Sequence, residues 1–222
     1  MVGQELYQRI LFEDNHLLAI NKLASEIVQG DKTGDPTLPD AIKAYLKERD
    51  HKPGNVFCGV IHRLDRPTSG LVLFAKTSKA LERMNTQFRE KEIEKTYLAL
   101  VEGSLEGKGT LVNHLRKNEK QNKSYVVDQS MGKEARLRYE VIQAFNHYSL
   151  VRITLETGRH HQIRYQFAHL GFPIKGDLKY GAKRSNKDGS IGLHASTLSF
   201  NHPTTKERIW IEAPPISSDW IQ

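Results

Sequence analysis

From His62 to Gly70 the chain reads His-Arg-Leu-Asp-Arg-Pro-Thr-Ser-Gly, which sets one carboxylate, Asp65, between Arg63 and Arg66 and then breaks the backbone with Pro67 and Gly70. Two fixed cations favour the ionised form of an acid between them, so Asp65 reads as a nucleophile or a base at neutral pH. An ion pair that merely braces a turn would use the same residues, and the segment alone leaves both readings open.

A second constellation is Thr157-Gly158-Arg159-His160-His161-Gln162-Ile163-Arg164. A glycine turn leads into a helical pattern whose first turn is rich in donors, an arrangement that binds anions. Arg159 and Arg164 are expected on this helix, about 140° apart around its axis. One of them then faces phosphate, while the other turns inward and needs a carboxylate. His161 and its neighbour His160 point in different directions, and no cysteine or clustered acid completes a site with them and His169. Hydrogen bonding is therefore expected of them, and a metal is not. Asp177, between Gly176 and Gly181, reads as a turn brace. Tyr97 lies in a strand-like run, where it is either half-buried packing or a platform on which a base stacks.

The elements that must hold these groups are legible from periodicity and turn chemistry. Ile10–Asp14 and His16–Asn21 read as two short strands joined at Asp14-Asn15, and Pro39–Arg49 as a helix with Ile42, Tyr45 and Leu46 in register. The strand-like runs Gly59–Ile61 and Leu71–Ala75 enclose the Asp65 loop, so the core should hold that loop rigidly. A helix from Ser78 to Lys91, capped by Thr77 or Ser78, puts Leu81, Met84 and Phe88 on one face. Lys95–Val101 is a strand, Arg138–Ala144 and Tyr148–Leu155 form a hairpin around Asn146-His147, and Arg159–Leu170 is a helix stopped by Gly171 and Pro173. Leu193–Phe200 and Arg208–Ile211 close the sheet. Strands and helices come in irregular order without repeated βαβ units, which predicts an α+β fold with a mixed, mainly antiparallel sheet and flanking helices.

Composition narrows the partner. The 222 residues carry a formal net charge of +7, and residues 111–190 hold 15 Lys and Arg against 7 Asp and Glu, so this stretch accounts for the excess. Within it, Arg116–Arg138 has seven cations against three acids with Tyr125 interleaved, and resembles a mobile basic hairpin able to track a phosphate backbone. Cys58 is the only cysteine, which excludes an intramolecular disulfide and fits a reducing compartment. Acidic residues interrupt every apolar run near the N-terminus, so neither a signal peptide nor a membrane span is expected. A cytoplasmic monomer is the expectation.

Together these segments resemble the RluA-type pseudouridine synthases, which isomerise chosen uridines in RNA to pseudouridine. LFEDNHLLAINK, HRLDRPTSG, EKTYLALVEG, GKEA, LETGRHHQIR, HLGFPIKGDLKYG and LHASTLSFNHP occur in the family's order and spacing, from about Ile10 to Ile211. The resemblance implies one catalytic domain over residues 1–222 with a cleft across its sheet and no cofactor; since only about ten residues precede the first expected strand, the separate N-terminal RNA-binding domain that many relatives carry is not expected. It makes Asp65 the catalytic aspartate, Tyr97 the residue stacked on the target base, and Arg164 the arginine that pairs with the aspartate. Leu155 would pack against the uracil ring, Arg63 and Arg66 would meet the RNA backbone, and Arg159 and His161 would also bind substrate. The substrate would be ribosomal or transfer RNA, with the target uridine flipped out of its stack. Whether Asp65 attacks covalently or acts as a base stays open, as do an inactive RNA binder on the same fold and an RNA N-glycosidase. One departure stands out: where the family has Lys-Pro-Ala-Gly, this chain has Lys22-Leu23-Ala24-Ser25, which should change the loop that follows.

Overall fold

Asp14 turns the first two strands by accepting the His16 and Leu17 amides on one carboxylate oxygen, both at 2.7 Å. This turn belongs to the first of two compact units in the computed structural model, which describes residues 6–30, 34–216 and 220. The first unit is Met1–Ile93 with Thr197–Pro214, and the second is Glu94–Ser196 with Pro215–Gln222.

In the first unit β1 (Ile10–Glu13) pairs antiparallel with β2 (Leu17–Lys22), and β2 pairs antiparallel with β4 (Ser69–Ala75). The short β3 (Gly59–Val60) also joins β4. Every residue of β2 is buried, and β4 is buried from Gly70 onward, so these strands form the rigid floor from which the Asp65 loop springs. α1 (Leu38–Arg49) starts at Thr37, which shares a capping box with Asp40 and is followed by Pro39 in the first turn. Of its predicted apolar face, Ile42 and Leu46 are buried and Tyr45 is half-buried. α2 (Ser78–Glu90) is capped by Thr77, whose hydroxyl accepts the Ala80 amide, and ends at Lys91 in the left-handed region. Met84 from this helix meets Leu17, Leu71, Leu73 and Phe200 in one core, with Leu81 and Phe88 packed against it. Phe200 lies on β10 (Leu193–Asn201), whose final residues pair antiparallel with β11 (Arg208–Glu212).

The second unit is an antiparallel array in the order β5 (Glu94–Glu102), β9 (Tyr148–Leu155), β8 (Lys133–Ala144), β6 (Lys108–Asn118) and β7 (Lys123–Val126). The β8–β9 hairpin turns at Asn146-His147, as the sequence predicts, with Phe145 donating to the Tyr148 carbonyl. The basic stretch forms a hairpin too, Arg116 facing Tyr125 and Asn118 facing Lys123. α3 (Gln162–His169) is shorter than the sequence predicts and excludes Arg159. His161 stands at its N-cap with φ 50°, and the Gln162 carboxamide oxygen reaches back to the Arg159 amide at 3.0 Å and the Thr157 hydroxyl at 2.8 Å. These contacts hold 157–161 as a turn, so an angle around a helix axis does not describe how Arg159 and Arg164 diverge. The fold is α+β with a mainly antiparallel sheet, in agreement with the sequence. Among the described residues no helix is long and apolar enough to cross a membrane.

Candidate active site

In the first unit, Asp65 sits half-buried in the turn between Ile61 and β4. The turn closes on itself: the Thr68 amide donates to the Asp65 carbonyl at 3.0 Å, and His62 accepts the Leu73 amide on its ring at 3.1 Å. Beneath it lies Lys22, the last residue of β2, which is fully buried. Its ammonium donates to the carbonyls of Thr68 at 2.7 Å, Leu23 at 2.9 Å and Arg66 at 3.2 Å. Burial pulls the Lys22 pKa down to about 8, against the opposing charges of Glu26 and Asp65. Lys22 was not singled out from the sequence. Its signal was a lysine closing a strand that is apolar from Leu17 to Ile20, which must find partners because a buried cation is rarely left unpaired.

Arg63 and Arg66 are exposed, and each is tied to the preceding loop, Arg63 to the Gln29 carboxamide and Arg66 to Asp35 at 2.8 Å. The same loop is anchored by Glu26, which takes Arg9 through two bonds of 2.8 Å and the Leu23 amide at 2.8 Å. Ser25, where the resemblance places a glycine, adopts φ 75°, in the left-handed region that favours glycine, and donates its amide to the Arg66 carbonyl.

In the second unit, Tyr97 on β5 faces Ile153 on β9, and Leu155 lies two residues further along β9. Side chains two apart on a strand share a face, so Tyr97 and Leu155 are diagonal neighbours on one side of the sheet. Both are 8% exposed. Tyr139 of β8 also faces Ile153, and α3 packs on this same side through Phe167, whose ring meets Tyr139 edge-on at 5.6 Å.

α3 carries Arg164, which is 5% exposed. Its guanidinium grips Asp177 through two bonds, Nε to Oδ2 at 2.7 Å and Nη2 to Oδ1 at 2.8 Å, and lies 5.2 Å from the Tyr180 ring centre. The inward arginine of the sequence reading has found a carboxylate. The turn aspartate is therefore more than a local brace. The Tyr180 hydroxyl accepts the Ser124 amide at 2.9 Å and shares a 2.7 Å hydrogen bond with His161 Nδ1. Burial, then the charge of Arg164, pushes the His161 pKa down to about 2, so the ring is neutral. His161 is buried and supports Tyr180 behind Arg164. His160 stacks on it at 3.7 Å and bonds Ser124 and Asn122, fastening the basic β6–β7 hairpin to the start of α3. Arg159 is half-buried, its Nε donating to the Glu134 carbonyl at 2.7 Å. No group of three or more metal-ligating side chains occurs among the described residues.

Residues 16–169 match the RNA pseudouridylate synthase family. An uncharacterized RNA pseudouridine synthase of Bacillus subtilis is 35% identical over 92% of this chain and 68% of its own length. The ribosomal large subunit pseudouridine synthase C of Vibrio vulnificus is 38% identical over 95% of this chain and 66% of its own length. The chain thus spans about two thirds of the curated relatives it matches. Among solved structures, human RNA pseudouridylate synthase domain containing 1 aligns with a TM-score of 0.73 at 26% identity, over 93% of this chain and 83% of that one. Human RNA pseudouridylate synthase domain containing 4 aligns with a TM-score of 0.78 over 99% and 93% of the two chains, and at 20% identity it speaks for the fold alone.

Proposed function

The chain belongs to the RNA pseudouridylate synthase family, of the RluA type, and from that premise we propose that it isomerises specific uridines of ribosomal RNA to pseudouridine. The observation that carries this reading is the aspartate held on a cation-braced turn of the first unit, and within the second unit an aromatic and an aliphatic side chain share one sheet face. Transfer RNA is a second substrate class for the same chemistry.

The reaction cleaves the bond from ribose C1′ to uracil N1, turns the ring, and joins C1′ to C5. The C5 proton leaves and N1 gains one, so no atoms or electrons are added. That balance calls for no redox cofactor. It does call for a pocket that retains a ring already cut loose, and Tyr97 with Leu155 supplies two apolar surfaces for it. Asp65 acts either by covalent attack on the sugar or the base, or by taking a sugar proton. The resemblance gives Arg164 the role of the catalytic aspartate's cation. Arg63 and Arg66, both exposed, and the half-buried Arg159 meet phosphates, and the basic hairpin holds RNA from which the uridine has been flipped.

The test maps pseudouridine in total RNA from cells carrying the intact gene, a deletion, or Asp65→Ala. A position lost in both defective strains establishes activity, substrate and residue together. Purified protein that yields abasic RNA and free uracil would instead establish an N-glycosidase, and RNA binding without product would establish a binder.

A further inference from the structure

Lys22 offers three donors and no acceptor, and its ammonium meets three carbonyls one to one. Two of them, Arg66 and Thr68, belong to the turn that carries Asp65, and the third, Leu23, begins the loop that the Ser25 amide ties back to Arg66. The lysine therefore joins both sides of the turn from below. The charged groups that act on it are Glu26 and Asp65, which favour its charge, and Arg66 and Arg9, which oppose it. Arg9 and Glu26 are paired with each other, so they largely offset one another at Lys22.

We propose that Lys22 is a positioning residue for Asp65, and that its ammonium proton holds the Asp65–Thr68 turn in its working shape. This rests on the isomerase reading above. A neutral amine has only two donors, and its lone pair would face the third carbonyl, so one of the three contacts turns repulsive and the turn relaxes. Asp65 loses a neighbouring cation at the same step. Turnover therefore falls as pH rises through about 8, where Lys22 loses its proton.

The sign of the stability effect is opposite. The folded pKa lies below the ordinary 10.5, so between the two values the unfolded chain binds more protons and Lys22's own contribution to stability rises with pH. A lysine that only supported the fold would give no loss of turnover in that window. A positioning lysine gives lower turnover while the unfolding midpoint holds.

The experiment measures kcat on transcribed large-subunit ribosomal RNA from about pH 6.5 to about pH 9.5 for the wild type, Lys22→Arg and Lys22→Met, with unfolding midpoints at each pH. The wild type should lose roughly tenfold in kcat per pH unit above about 8, since one proton controls the step. Lys22→Arg, always charged, should lack the limb, and Lys22→Met should be slow throughout without one. A limb that is absent in the wild type, or unmoved in Lys22→Arg, overturns the proposal. Independently of activity, the carboxyl 13C resonance of Asp65, assigned by its loss in Asp65→Asn, should move as Lys22 loses its proton near 8 in the wild type, and should not move in that range in Lys22→Met. A resonance that ignores this pH range overturns the proposal as well. Wild type without product at any pH sinks the isomerase reading instead, and the resonance then still decides what Lys22 does.

Discussion

Arg164 and Asp177 form a two-bond ion pair, 2.7 and 2.8 Å, with side chains only 5% and 1% exposed. The guanidinium plane is fixed by that fork and by the Tyr180 ring beside it, so the aspartate determines how the arginine is presented. Breaking such a pair takes the fork's two bonds away from a buried charge. Asp177→Ala should cost about 3–5 kcal/mol in denaturant unfolding, while Arg164→Met combined with Asp177→Leu should cost clearly less, because neither charge is then present without its bidentate partner. If the double variant is the less stable of the two, the charge is not what the pair contributes.

How much of this site could be read beforehand depended on the range of the interaction. Asp65, Tyr97 and Arg164 each lie in a short run whose residue types carry a signal, whereas Leu155 was named only through the resemblance. Asp177 was seen only as a turn residue, because its partner is thirteen positions away and on another element. Lys22 was passed over because its three carbonyls belong to backbone up to 46 residues distant. Local signals also misplaced the start of α3: the periodicity runs on from Arg159, but the Gln162 side chain competes for the turn and wins. β6 escaped notice since, among its eleven residues, Leu115 alone is buried and the strand is held by ladders to β7 and β8.

Ser25 carries a steric strain that glycine would not. In the left-handed region a side chain costs about 1–2 kcal/mol, of which the greater freedom of unfolded glycine returns part. Ser25→Gly should therefore stabilise the chain by about 0.5–1 kcal/mol, seen as a higher urea midpoint with an unchanged slope. A neutral or lower midpoint would mean that the hydroxyl contributes something its backbone geometry does not reveal.

Asp14 should make stability depend on acid. Burial raises its pKa, but the amides of His16 and Leu17 and the His202 ring, at 2.7 Å, outweigh that and leave it below the ordinary 3.8. A depressed carboxylate stabilises the fold above its unfolded pKa, and that contribution is lost as pH falls through the folded one. Asp14→Ala should cost about 2 kcal/mol at neutral pH, the scale of hydrogen bonds to a charged group, and the gap from wild type should narrow below pH 3.8. A gap that stays constant across that range would place the loss in packing instead.

Leu155 tests whether the pocket retains the detached ring. Its side chain is 8% exposed and lies diagonal to Tyr97, so Leu155→Ala removes one wall and should cost about 2 kcal/mol of stability. The functional consequence is separate from that loss. A uracil held from one side by Tyr97 alone has a second fate open to it once the bond to C1′ is broken, which is escape before C5 turns to meet the sugar. With uracil-labelled RNA, the variant should release free base alongside pseudouridine, while the wild type releases none. Slower pseudouridine formation with no free uracil would assign Leu155 to binding the intact nucleotide, and an unchanged rate would remove it from the site.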